Sequence, residues 1–364
     1  MGREESAAVL NWLLIFVPVT IALDFLSPES HTWIFLSACL AIVPLAGRLG
    51  DATEQLAYHT GDAIGGLLNA TFGNAAELII AIMALRQGLY PVVKASLTGS
   101  IIGNTLLVFG AAALAGGLRH KQQKFSRTGA CSQATLLTLA AIGLIVPAAF
   151  HHLAGPGERA REDVLSLAIA VVLFAAYACH LMFSLFTHRQ VCVGDPSEPE
   201  AEAAAEAPWS LKRAIAELAI ATAFIAWISE MLVGSVEQAG AALGMTRIFL
   251  GVIVVAIVGN AAEHSTAVMM ALKNRMEISI SIAIGSSLQI ALFVAPMVVV
   301  ASRFIGPRPM DLVFSPAEVL AVFLAVMITG QVAADGETNW LEGVQLLSVY
   351  IILAVVFYFL PQTS

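Results

Sequence analysis

Gly73-Asn74-Ala75-Ala76-Glu77 recurs as Gly259-Asn260-Ala261-Ala262-Glu263, and a Gly-Ser pair follows each copy at the same distance, Gly99-Ser100 and then Gly285-Ser286. Each pentapeptide puts a glycine, an amide and a carboxylate inside a stretch that otherwise reads as membrane-spanning helix. An ionised carboxylate in hydrocarbon is costly and is usually kept for function. Two of them at matched places in related halves point to one ion site built where the halves meet.

The surrounding sequence supports a membrane setting. Of the 364 residues, 58% are hydrophobic and 12% charged, and the mean hydropathy is +0.83. Apolar runs extend from end to end. Eleven candidate spans can be drawn, at about 9–26, 32–47, 64–86, 91–117, 130–151, 163–187, 209–234, 246–272, 276–303, 314–334 and 341–360. The second is short enough to merge with the polar helix after it. Arg3, Glu4 and Glu5 at the start, and Asn11 and Pro18 within the first run, make a poor signal peptide, so the first span reads as a retained helix. Cys39, Cys131, Cys179 and Cys192 have no metal-ligand spacing. No basic stripe suits nucleic acid. Neither a Gly-x-Ser-x-Gly elbow nor a His-Glu-x-x-His zinc motif is present, which argues against a hydrolytic enzyme.

The expected fold is an all-α membrane protein of about eleven transmembrane helices. A leading helix (1–30) precedes a first five-helix repeat (31–187), an acidic cytoplasmic linker (188–208) and a second five-helix repeat (209–364). The linker gathers Asp195, Glu198, Glu200, Glu202 and Glu206, much of the acidity behind a net charge of −8. Five is odd, so the second repeat enters the membrane from the opposite side and the two are inverted. The pairing extends to Thr53-Glu54-Gln55-Leu56-Ala57 and Ser229-Glu230-Met231-Leu232-Val233. Eleven of the 18 lysines and arginines fall on one face if the N-terminus is cytoplasmic and the C-terminus outside, with Arg119, Lys121, Lys124 and Arg127 densest. That bias sets the expected orientation, in the cell (inner) membrane.

Asn74 and Glu77 share a helix face, as do Asn260 and Glu263. Ser100 and Asn104 lie one turn apart on the next span, and Ser286 and Gln289 on its counterpart. With the carbonyls of Gly73 and Gly259 the set offers oxygen throughout and no thiolate. A hard cation wants that shell, Ca²⁺ more than Mg²⁺, which dehydrates reluctantly and demands an octahedron. Glu77 and Glu263 can hold protons as well as metal. Interhelical hydrogen bonding is the plain alternative for Asn104 and its like; a carboxylate is a costly way to obtain it. His264 follows Glu263 and has Leu78 in its place in the first half; proton handling and a helix contact are both open to it. Glu54 and Glu230 are expected to line an ion path or stand in a second layer, with Glu237 on the face of Glu230.

These residues resemble a known family. Ala52-Thr53-Glu54-Gln55-Leu56-Ala57, then Gly65-Gly66-Leu67-Leu68-Asn69-Ala70-Thr71-Phe72-Gly73-Asn74-Ala75-Ala76-Glu77-Leu78-Ile79, is similar to the first-half signature of the calcium/proton exchanger (CAX) family of the calcium/cation antiporter superfamily. Gly259-Asn260-Ala261-Ala262-Glu263-His264 with Gly285-Ser286-Ser287-Leu288-Gln289 is similar to the second. The Thr-Ser-x-Pro-Glu pattern of sodium/calcium exchangers is absent. The resemblance implies a leading helix and two inverted five-helix repeats. It implies export of cytoplasmic Ca²⁺ against inward protons, with Ca²⁺ as transported substrate and no resident cofactor. By position it implies metal-binding glutamates at Glu77 and Glu263, a motif histidine at His264 and an acidic segment at 195–206.

The coupling follows from charge. Two ionised glutamates carry −2, which one Ca²⁺ or two protons neutralise. The unloaded pair repels itself and faces a desolvation cost, so exchange between the two faces is easy only when loaded. The alternative reading is a Na⁺ or K⁺/proton antiporter on the same scaffold. A Ca²⁺-gated channel would conduct without proton counterflow. The expected partners are Ca²⁺, H⁺ and the lipid bilayer, with no nucleic acid; a homo-oligomer stays open.

Overall fold

A computed structural model describes residues 11–154, 159–187 and 209–360. The acidic linker expected at 188–208 lies outside them. Thirteen helices follow: α1 (Leu13–Leu26), α2 (His31–Thr60), α3 (Asp62–Phe72), α4 (Ala75–Arg86), α5 (Tyr90–Arg119), α6 (Arg127–Ala154), α7 (Ala160–Thr187), α8 (Leu211–Leu243), α9 (Arg247–Gly259), α10 (Ala261–Leu272), α11 (Met276–Ala301), α12 (Pro316–Val332) and α13 (Trp340–Phe359). The only strands among the described residues are β1 (Gln123–Lys124) and β2 (Glu337–Thr338), an antiparallel pair.

Among the described residues seven helices are long and apolar enough to cross a membrane, and up to nine spans result if each bent pair, α3–α4 and α9–α10, counts as one. α1 and α12 complete the eleven expected apolar runs, but both are short apolar helices of 10–17 residues. That is below the ~20 residues that cross hydrocarbon without tilt or thinning. The second expected span does merge with the polar helix after it. α2 runs unbroken through Pro44 to Thr60, and Gly61, at φ 79°, ends it in a backbone conformation that suits glycine.

The helices stand where the sequence lets them. α8 starts on Ser210, whose hydroxyl accepts from Arg213 N, and ends on Gly244 in the left-handed region. Ser315 and Glu318 form a capping box on α12, and Asn339 and Glu342 another on α13. α2 packs along α8, and the packing is crosswise around them: α4 lies on α8, α10 on α2. α5 crosses α9 with backbones nearly touching, since a side chain at Gly99 would run into the Val252 backbone and one at Gly251 into Ala95 and Ser96. Only small residues permit that approach.

Two seams tie the halves at opposite ends of the bundle. In one, the α11–α12 loop is fastened to α5: Lys94 Nζ reaches Asp311 Oδ1 at 2.5 Å and Val313 O at 2.7 Å, and Tyr90 Oη donates to Arg308 O at 2.6 Å. In the other, Gln123 Nε2 donates to Ala271 O (2.8 Å) and His120 Nε2 meets Leu272 O (3.2 Å), so the α5–α6 loop covers the last carbonyls of α10.

Candidate functional site

The pentapeptides are where the two bent pairs break. α3 ends at Phe72 and α4 begins at Ala75 after a bend of 42°; α9 ends at Gly259 and α10 begins at Ala261 after a bend of 62°. Asn74 (φ −104°, ψ 21°) and Asn260 (φ −97°, ψ 9°) occupy the same sparsely used backbone region. The sequence reading put each asparagine and glutamate on one face of a continuous helix. The structure makes each asparagine the residue before a new helix and sets Glu77 and Glu263 in the first turn of α4 and α10. A helix start carries unpaired N–H groups and a positive dipole end, which favours an anion there. Broken backbone of this kind survives in a membrane only where protein or a water-filled cavity surrounds it.

The breaks meet across the halves. Asn260 Nδ2 donates to Ser100 Oγ (3.0 Å), and Ser286 Oγ donates to Asn74 Oδ1 (3.4 Å). Each motif asparagine therefore contacts the Gly-Ser serine of the other half. Glu77 is 5% exposed and packs on Gly259, where a Cβ would stand 3.5 Å from its Oε1. Gly73 faces the Gln289 amide in the same manner, and Asn74 Nδ2 donates to Gln289 Oε1. Asn104 Nδ2 donates to Asn260 Oδ1 (3.2 Å) and Ser286 Oγ (2.9 Å), and His264 Nε2 lies 3.2 Å from Asn104 Oδ1.

Glu77 Oε2 and Glu263 Oε2 are buried without a hydrogen-bond partner among the described residues. Glu77 packs on Gly259, four residues before Glu263, which sets the two motif carboxylates in one neighbourhood. A buried acceptor that no protein group satisfies is rare, and a proton, a water or a cation can serve such an oxygen. Among the described residues no three His, Cys, Asp or Glu side chains converge. The oxygens gathered here are two carboxylates and neutral amide and hydroxyl groups, a donor set that suits a hard cation and not a thiophilic one.

The structure brings Glu77, Glu263, Asn74, Asn260, Ser100, Ser286, Gly73, Gly259, His264, Asn104 and Gln289 into this one region. Glu54 and Glu230 are exposed on α2 and α8. Glu237 is paired with Arg247 at 3.0 Å, so it ties α8 to α9.

Two features escaped the sequence. Widened π turns at Gly103–Val108 and Ile290–Val294 follow the two Gly-Ser elements and shift the register of the residues around Asn104 and Gln289; such turns concentrate at functional sites. Tyr177 Oη donates to Ala70 O at 3.2 Å, satisfying a carbonyl freed by the first break. Nothing in the sequence around Tyr177 signals that contact.

The sodium/calcium exchanger protein family matches the chain twice, over residues 30–186 and 213–359. The chain is 45% identical over 360 residues to a Ca(2+)/H(+) antiporter of Aphanothece halophytica, covering 96% of each. It is 47% identical over 362 residues to a Ca(2+)/H(+) antiporter of Synechocystis sp., again covering 96% of each. The fold is similar to the crystal structure of the Ca2+/H+ antiporter protein YfkE, with a TM-score of 0.80 and 39% identity over 96% of this chain and 100% of that one.

Proposed function

We propose, from the premise that the chain belongs to the sodium/calcium exchanger protein family of calcium/cation antiporters, that it exchanges Ca²⁺ for protons across a membrane by alternating access. It is a transporter and not an enzyme. The observation that carries the reading is the pair Glu77 and Glu263, one from each half, each with a carboxylate oxygen that has no partner among the described residues and lies amid amides and hydroxyls.

The carboxylates bind either Ca²⁺ or protons. Asn74, Asn260, Ser100 and Ser286, with the carbonyls of Gly73 and Gly259, complete the shell. Ca²⁺ accepts six to eight oxygens in flexible geometry, a number such a set can supply. Loaded with one Ca²⁺ or two protons the site is neutral; unloaded it carries −2. A charge buried at this depth disfavours the rearrangement that passes the site between faces. Transport of one ion is thereby tied to return of the other. A ligand can drive such a rearrangement only through unequal affinity for its end states, and here the neutralised site supplies the difference.

The symmetric exchange of hydrogen bonds and the double family match support a finer architecture of a leading helix and two inverted five-helix repeats. On that plan α1 and α12 cross as tilted or thinned spans. The distribution of basic residues supports a cytoplasmic N-terminus, an outer C-terminus and residence in the cell membrane.

The test is proton movement in proteoliposomes holding the purified chain, with Ca²⁺, Na⁺ and K⁺ supplied in turn. The expected result is Ca²⁺-driven proton flux. Flux with Na⁺ or K⁺ alone would make the protein a monovalent antiporter. Ca²⁺ conduction without proton counterflow would make it a channel.

A further inference from the structure

The hydrogen bonds through Asn104 have a direction fixed by the backbone. Ala256 O can only accept, so Asn260 must turn its Nδ2 there, at 2.9 Å. Oδ1 of Asn260 then faces Asn104 at 3.2 Å, where only a donor serves. Asn104 must present its Nδ2, which also reaches Ser286 Oγ at 2.9 Å. Its Oδ1 is left facing His264 Nε2 at 3.2 Å, and that nitrogen must carry a hydrogen. Asn104 is 1% exposed and Asn260 is equally buried, so no solvent competes for these bonds.

The second half differs: Gln289, on the matching span, accepts from Asn74 Nδ2 and does not donate to Asn74 Oδ1. Ile290 stands four residues after Ser286, where Asn104 stands four after Ser100. Among the described residues Asn74 Oδ1 receives only the 3.4 Å bond from Ser286. One asparagine oxygen of the pair is therefore held by an amide N–H and the other is nearly free.

We propose that Asn104 is a positioning residue that competes with the transported cation for Asn260 Oδ1, and that His264 holds its amide in the competing orientation. The inference rests on the exchange reading above. A cation on Asn260 Oδ1 would face the positive end of the Asn104 amide, so loading requires Asn104 to withdraw. As interhelical glue, Asn104 would be indifferent to the cation; as a ligand, it would strengthen binding. As a competitor, it weakens binding and speeds release.

The three roles differ in sign. Ca²⁺ affinity is measured by calorimetry at fixed pH on the purified full-length chain, beside Ca²⁺-driven proton flux in proteoliposomes. Asn104→Ala is expected to lower Kd about three- to tenfold, the worth of one or two competing hydrogen bonds. Turnover at saturating Ca²⁺ should fall with KM, because release slows. His264→Leu should shift Kd the same way, and the double variant should add little, since both changes remove one lock. Asn104→Ser, too short to reach Asn260, is the second variant should the alanine form fail to fold. Unchanged or weakened affinity in the folded Asn104 variants overturns the proposal. If wild-type protein moves protons with Ca²⁺ while those variants fail to tighten, this inference alone falls. If the wild type moves none, the exchange reading falls with it.

Discussion

Replacing Glu77 by glutamine separates charge from shape. The side chain is 5% exposed, packs on Gly259 and leaves Oε2 without a partner among the described residues. A ligated Ca²⁺ would lie ~2.4 Å from a carboxylate oxygen and ~3 Å from its centre of charge. Charges of two and one at that separation, in an effective dielectric of ~20, attract by about 11 kcal/mol. Lost hydration of the carboxylate offsets much of this, and glutamine keeps a carbonyl dipole. If only a quarter survives, ~3 kcal/mol, the Kd rises more than about a hundredfold. Glutamine also cannot carry the exchanged proton, so the return step is lost with the forward one. Stability should change little, within about 1 kcal/mol, because one poorly satisfied polar group replaces another of the same shape. The assays are Ca²⁺-driven proton flux in proteoliposomes, Ca²⁺ calorimetry and thermal unfolding on one preparation. Near-normal exchange in correctly folded Glu77→Gln would refute the two-carboxylate site, and Glu263→Gln should fail in the same way.

Asn74→Ala and Asn260→Ala should each weaken Ca²⁺ binding more than they lower the unfolding midpoint; unchanged affinity in both would reduce them to packing residues. Apparent Ca²⁺ affinity should rise with pH, because protons and Ca²⁺ claim the same carboxylate oxygens and each proton lost frees a ligand. The dependence should approach about two protons per ion at low pH and level off once both glutamates are ionised. Affinity independent of pH from roughly 5 to 9 would rule out a shared site. Gly99→Val should lower stability by about 1–3 kcal/mol and reduce transport. Its side chain would meet the Val252 backbone, which must part to admit it and carry Ser100 with it. A variant with the wild-type unfolding midpoint would show that α5 and α9 do not pack so closely.

The site was legible to different depths along the chain. Glu77 and Glu263 were readable because a carboxylate in an apolar run is conspicuous, and an identical pentapeptide 186 residues on is more so. Glu54 and Glu230 form a repeated pair too, expected to line a path rather than to hold the ion, and both are exposed on α2 and α8. Repetition marks relatedness of the halves without saying which repeated face turns inward. Glu237 shares the face of Glu230, and its partner Arg247 lies beyond the turn at Gly244. A one-dimensional pattern on α8 could not include that partner.

The amino-acid sequence by itself determined that this chain lives in a membrane, that its halves are related, and that each half carries a carboxylate inside an apolar run with amides and hydroxyls at matched places. Those properties follow from composition and local pattern, which need no partner in space to be read. Tertiary structure decided that the helices break at Asn74 and Asn260, that Glu77 rests on Gly259, and that Asn104 turns its amide nitrogen toward one motif asparagine. Whether a backbone group stays in its helix depends on what can satisfy it once released. Here that role falls to side chains far away in sequence, such as Tyr177 for Ala70. The direction of an amide depends likewise on a chain of donors and acceptors that only packing assembles.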